Sequence, residues 1–149
     1  MTEVFDTKES VCVLVPHKGK MFLLDRVRNY DLKKHTITTE IDITRNNMFY
    51  EEDLGGVPVW VAFEFMAQSV SALSGIFERA RGKKIKVGFI MSVSSFKAEV
   101  PVFKVGETVV VNVNELIRID NMVTFEGCAM VNGTLAVTAK LNTIEVDNP

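Results

Sequence analysis

The hydrophobic pattern changes period along the chain, and each change marks an element. From 58 to about 79, Val59, Phe63, Met66, Val70, Leu73 and Phe77 recur at steps of three and four, forming one continuous apolar stripe. Trp60, Glu64 and Gln68 recur at steps of four on a neighbouring stripe, which the small residues Ser71, Ala72 and Gly75 continue. Beyond Glu64 no ionisable side chain occurs before Glu78. Pro58 suits the first turn of a helix, where its missing N–H costs nothing. A surface helix would carry several charges opposite its stripe, so this segment predicts a buried helix.

Elsewhere the period is two. Over 36–43, Ile37, Thr39, Ile41 and Ile43 alternate with Thr38, Glu40 and Asp42, which predicts a half-buried strand. Residues 44–57 are polar and irregular, with Asn46-Asn47 and Gly55-Gly56 marking a loop. After the helix everything reads as strand: 86–92, 95–102, 108–117, 122–131 and 135–146. Asn132-Gly133 is the strongest hairpin signal, because both residues accept the positive φ of a type I′ turn. Before the first strand lie a short apolar stretch at 11–15, the polar run Pro16-His17-Lys18-Gly19-Lys20, and a second apolar stretch at 21–27. One long buried helix and an antiparallel meander predict an α+β fold in which the sheet curls around the helix. Such a sheet leaves an open edge, and two chains pairing there would close it.

Composition narrows the class. A chain of 149 residues predicts a single domain over 1–149 with room for a core. Hydrophobic residues make up 47% and charged residues 24%, as in globular proteins. The net charge of -2 gives no electrostatic case for nucleic acid or an anionic membrane. The run Lys83-Lys84-Ile85-Lys86 reads as a solvated turn or as a contact for an acidic carrier protein. Cys12 and Cys128 lie far apart without metal-ligand spacing and read as reduced packing residues, so no metal or cofactor is expected. The polar N-terminus lacks a signal-peptide profile, and no apolar run escapes interruption by Glu64 or other charges. A cytoplasmic protein without a membrane span is the expectation.

Glu64 is the chemical anomaly. A carboxylate on a buried helix needs a partner or a task. It is either a structural residue satisfied by a hydrogen bond or a catalytic acid or base.

Several segments carry a resemblance. The stretch Val15-Pro16-His17-Lys18-Gly19-Lys20-Met21-Phe22-Leu23-Leu24-Asp25-Arg26-Val27 resembles the N-terminal "PHR-x-P-x-LL-x-DR" of the β-hydroxyacyl-acyl-carrier-protein dehydratases, which have the hotdog fold. Glu64-Phe65-Met66-Ala67-Gln68 resembles their "E-x-MAQ" helix motif, in which the Glu is catalytic. The segment 95–107 resembles their "x-FK-x-PV-x-PGD", and 130–136 their final hairpin. The likeness covers nearly the whole chain in order and is closest to the divergent subfamily of aryl polyene gene clusters. There such a protein can act beside a second dehydratase subunit. One departure stands out. The family's catalytic His lies in a "GHFPG" loop fourteen positions before the Glu, and that position here is Tyr50.

The resemblance implies elimination of water from a 3-hydroxyacyl thioester on an acyl carrier protein, by a homodimer or a heterodimer with another hotdog dehydratase. Burial favours a protonated Glu64 as the acid, with Gln68 orienting it. The Val59 N–H at the helix start is expected to be free for the thioester oxygen. His17 is the candidate base, since imidazole titrates near neutrality. Tyr50 is a candidate for binding substrate, and Trp60, Phe63 and Phe96 for lining the acyl tail. His35, beside Lys33-Lys34, is expected to be exposed and inert. The deciding distance is that between His17 and Glu64 across a dimer. Two other functions stay open. One is a non-catalytic partner subunit of an active dehydratase, which the missing loop histidine favours. The other is an acyl thioesterase.

Overall fold

A computed structural model describes residues 3–83 and 87–146, so Lys84, Ile85 and Lys86 of the basic run lie outside the described residues. The long helix α2 spans Ala62–Ala80 and is entered through a 3₁₀ turn at Val59–Val61, with Pro58 at its cap. Around it curls a six-stranded antiparallel sheet of β1 (Arg26–Asp31), β2 (Thr36–Asp42), β4 (Val87–Ala98), β6 (Thr108–Ile119), β7 (Met122–Val131) and β8 (Thr134–Val146). Their spatial order is β1-β2-β6-β7-β8-β4. The short strands β3 (Gly56–Pro58) and β5 (Val102–Lys104) pair separately beside the helix start. This is the α+β hotdog architecture, one helix wrapped by one curled sheet.

The alternation in β2 is as expected: Ile37, Thr39, Ile41 and the following Ile43 are all buried. Buried Thr39 has its hydroxyl 2.7 Å from that of Ser69 on α2, which in turn donates to the Phe65 carbonyl. Valines 109, 111 and 113 of β6 and Leu141 of β8 complete the wall. Asn132 and Gly133 both take positive φ, at 51° and 75°, and turn β7 into β8. The two strands expected at 86–92 and 95–102 are one, β4, paired along β8 with two irregularities, the second beside Ser95 at φ 54°. Bulges keep the strand in the sheet where two separate strands were expected.

The helix differs from expectation in which face it buries. Phe65, Met66, Ser69, Ala72, Leu73 and Ile76 meet the sheet, whereas Val59, Phe63, Val70 and Phe77 are only partly covered. A helix apolar on nearly every side offers periodicity no basis for choosing among faces. Val59–Ala80 is long and apolar enough to cross a bilayer by composition, but 56% of its apolar window is buried inside the fold, as in a core helix.

The apolar stretch at 11–15 is partly helical. A short helix α1 (Lys8–Cys12) starts with a capping box between Thr7 and Ser10. The chain then crosses α2, and Leu14 packs its backbone onto Gly75. A Cβ at Gly75 would overlap the Leu14 carbonyl oxygen, so the small residue is what permits the approach. Further on, Asp25 accepts the Asp42 N–H at 2.7 Å. Arg26 forks onto Asp42 and bonds Glu40, all at 2.8 Å. The Asp-Arg pair of the N-terminal motif thus serves as a clamp on the β1–β2 edge.

Candidate active site

Crossing the helix brings His17 over Glu64. His17 Nε2 lies 3.3 Å from Glu64 Oε1 within one chain. Both side chains are partly accessible, at 25% and 22%. Gln68, one turn below, is fully buried and triply bonded. Its Oε1 accepts the Leu23 N–H at 2.8 Å, and its Nε2 donates to the Met21 carbonyl at 2.7 Å and to Glu64 Oε1 at 3.2 Å. The amide therefore fixes the carboxylate, as expected, and also pins the segment that delivers His17.

Glu64 does not have the protonation state that burial alone implies. Hydrogen bonding to His17 holds its carboxyl below the usual carboxylate range; burial opposes this, and Gln68 adds to the lowering. Glu64 is thus a resting carboxylate, not the protonated acid expected from a buried helix. The partner outweighs the desolvation because the side chain opens onto a groove. His17 Nδ1 is buried and has no hydrogen-bond partner. A protonated Nδ1 would bury an unpaired donor, so the geometry favours the tautomer with its proton on Nε2, facing Glu64.

The groove has a volume of about 310 Å³ and runs between one face of α2 and the edge of the sheet. Phe63, Ala67, Val70, Phe89 and Ile90 give it apolar walls, with Ser71, Ser74, Thr143 and Glu145 among them. The strand residues 89, 90, 143 and 145 escaped sequence reasoning because no local motif marks them. A meander read in chain order does not set β4 beside β8, so no sequence signal brought these residues together.

Other expected residues stand elsewhere. Val59 N–H donates to the Pro101 carbonyl at 3.1 Å, so it is not the free donor expected for a thioester oxygen. The β3–β5 pairing consumes it. Tyr50 points its hydroxyl at Glu52 Oε2, 2.9 Å away on its own exposed loop, and does not line the groove. Trp60 is 51% exposed, edge-on to Phe49 and stacked near Phe63. Phe96 packs against the core outside the groove, which leaves Phe63 as the expected aromatic that lines it. His35 is half-buried rather than exposed, 3.5 Å from Glu115 and against the Phe77 ring.

A carboxylate and an imidazole meet at a groove on the one helix that the curled sheet wraps, in a protein of the hotdog fold. The chain belongs to the ApeP-like family, whose model, described as ApeP dehydratase, matches residues 9–149. It is 26% identical over 141 residues to the 3-hydroxyacyl-[acyl-carrier-protein] dehydratase FabZ of Methylobacterium radiotolerans, covering 93% of this chain and 88% of that protein. To the FabZ of Chlamydia trachomatis serovar L2 it is 29% identical over 91 residues, 58% of this chain and 60% of that protein. The match to the chlamydial relatives thus spans about three-fifths of their length. Among solved structures, a chain of the dehydratase heterocomplex ApeI:P from Xenorhabdus doucetiae superposes with a TM-score of 0.85 at 27% identity, over 93% of this chain and 91% of that one. A hypothetical thioesterase with coenzyme A from Streptococcus pneumoniae superposes at 0.63 with 6% identity, over 83% and 86%, a likeness of fold alone.

Proposed function

We propose that the protein is a 3-hydroxyacyl-[acyl-carrier-protein] dehydratase whose reacting groups are Glu64 and His17 of the same chain. The observation that carries this reading is the 3.3 Å approach of His17 Nε2 to an ionised Glu64 in the wall of the groove. The thioester acidifies the C2 proton, and the Glu64 carboxylate takes it as base. As the C3–O bond breaks and the C2–C3 double bond forms, the pair passes that proton to the departing hydroxyl, which leaves as water. Glu64 ends as a carboxylate and His17 with its Nε2 proton, so the site is ready for another turn. The reading exchanges the roles suggested by burial alone: Glu64 is the base and His17 the proton donor. Acyl carrier protein delivers the substrate, no cofactor takes part, and the cytoplasm is the proposed location.

A second reading has its own support. Tyr50 holds the position of the family's loop histidine and bonds Glu52, and the structural relative belongs to a dehydratase heterocomplex. The open edge of β4, with Phe89 54% and Met91 64% exposed, suits pairing with such a partner or with a second copy.

The test is dehydration of 3-hydroxyacyl-carrier-protein, or hydration of the enoyl form, by the purified chain alone and with a dehydratase partner. Glu64→Gln and His17→Ala should each lower turnover by roughly two orders of magnitude or more while the protein stays folded. A chain inactive alone, whose complex is indifferent to both substitutions, would make it the non-catalytic subunit.

A further inference from the structure

The groove has a direction along α2. Its helix residues begin at Phe63 and Glu64 and end at Ser74, so it extends from the carboxylate toward the helix C-terminus. An acyl tail lying in it leaves the thioester sulfur, and everything beyond the sulfur, on the other side of Glu64. Trp60 stands there. It precedes Glu64 by four residues, which puts it on the same side of the helix and about 6 Å nearer the N-terminus.

Trp60 is the one tryptophan of the chain, and it is 51% exposed although indoles are buried on average. Two neighbours hold it in place. Phe63 lies near to parallel, at 23° with ring centroids 6.2 Å apart, and Phe49 meets it edge-on at 77° and 5.7 Å. The indole is therefore fixed by aromatic packing and still open to solvent. Through Phe63 it continues the wall of the groove.

The thioester side of the substrate is the same whatever the acyl chain. It is a pantetheine arm, in which two methylenes separate the sulfur from a first amide. From the thioester carbonyl to that amide the reach is that of one and a half backbone residues, about 5–6 Å. This length matches the step from Glu64 to Trp60. A planar amide laid flat on the indole gains dispersion over its whole face. Its edge stays in water at so open a site, so the contact carries no penalty for unmade hydrogen bonds.

We infer that Trp60 is the platform for the pantetheine arm, which it meets at the amide nearest the thioester. The inference rests on the groove being the acyl channel proposed above. Trp60 thus serves the end of the substrate opposite to the acyl tail that its place in the sequence suggests.

Two families of 3-hydroxyacyl amide test this on the full-length protein, one carrying the pantetheine arm and one ending in a methyl group before Trp60 is reached. As the only tryptophan, Trp60 reports by its own fluorescence. Its emission should move when a pantetheine amide binds and stay put with a methyl amide. By calorimetry, Trp60→Ala should weaken the pantetheine amides about tenfold and Trp60→Phe much less, the worth of one aromatic stack. The loss should be the same for short and long acyl chains, and the methyl amides should bind all three proteins alike. With carrier-linked substrate, Trp60→Ala should raise KM more than it lowers kcat, as loss of uniform binding does. Emission unmoved by a saturating pantetheine amide overturns the inference even if neither variant folds. So does emission that instead follows protein dilution, which would make the indole a contact between chains. A loss that grows with acyl length overturns the assignment to the arm. If both families bind and Trp60 is indifferent, only the platform fails; if neither binds, the acyl-channel reading fails with it.

Discussion

Replacing Gln68 by Met should separate a positioning amide from an inert core residue. The side chain keeps its length but loses all three hydrogen bonds to Leu23, Met21 and Glu64. The Leu23 N–H is buried, and leaving it unpaired costs about 1–3 kcal/mol. The Met21 carbonyl is partly accessible and costs about 1 kcal/mol. Greater apolar burial by the thioether side chain returns about 1 kcal/mol. The net loss of about 2 kcal/mol corresponds to a fall in melting temperature of about 4–8 °C for a chain of this size. Calorimetry or circular dichroism at one fixed protein concentration measures it, since any association would move the midpoint. Hydrogen exchange supplies the local test: the Leu23 amide should lose protection before the α2 amides do. A variant that melts within about 1 °C of the wild type, with Leu23 still protected, would refute the reasoning.

Glu64 should make stability depend on pH in a defined direction. Its carboxyl titrates lower in the folded chain, so its contribution is complete above the unfolded value of about 4.3 and is lost as pH falls through the folded one. Glu64→Gln should therefore melt below the wild type at neutral pH, by about 1 kcal/mol, and the gap should close toward pH 3 in melting curves. Gly75→Ala should destabilise by about 2–3 kcal/mol in urea despite alanine's better helix propensity, because the Leu14 carbonyl occupies the Cβ position; a neutral result would mean that the two backbones are not in contact. Asn132→Ala should cost about 1 kcal/mol at its φ of 51° and Asn132→Gly much less, a ranking that denaturant midpoints check.

What the sequence determined by itself was whatever repeats locally. Ile37, Thr39 and Ile41 share a face because strand geometry alternates, with no help from the rest of the chain. Asn132-Gly133 turns because two adjacent residues tolerate positive φ. The helix, and the oddity of Glu64 and Gln68 within it, were legible for the same reason. The tertiary structure decided everything that depends on a distant partner. His17 and Glu64 are 47 positions apart, and their meeting rests on Gly75 admitting Leu14 and on Gln68 holding Met21 and Leu23. The Val59 amide was spoken for by Pro101, across a two-stranded sheet too short to show as periodicity. Tyr50 turned to Glu52, a choice among rotamers that no spacing encodes. The charge on Glu64 came from a contest between burial and a neighbouring imidazole. Local sequence carries the first of those terms, and only packing supplies the second.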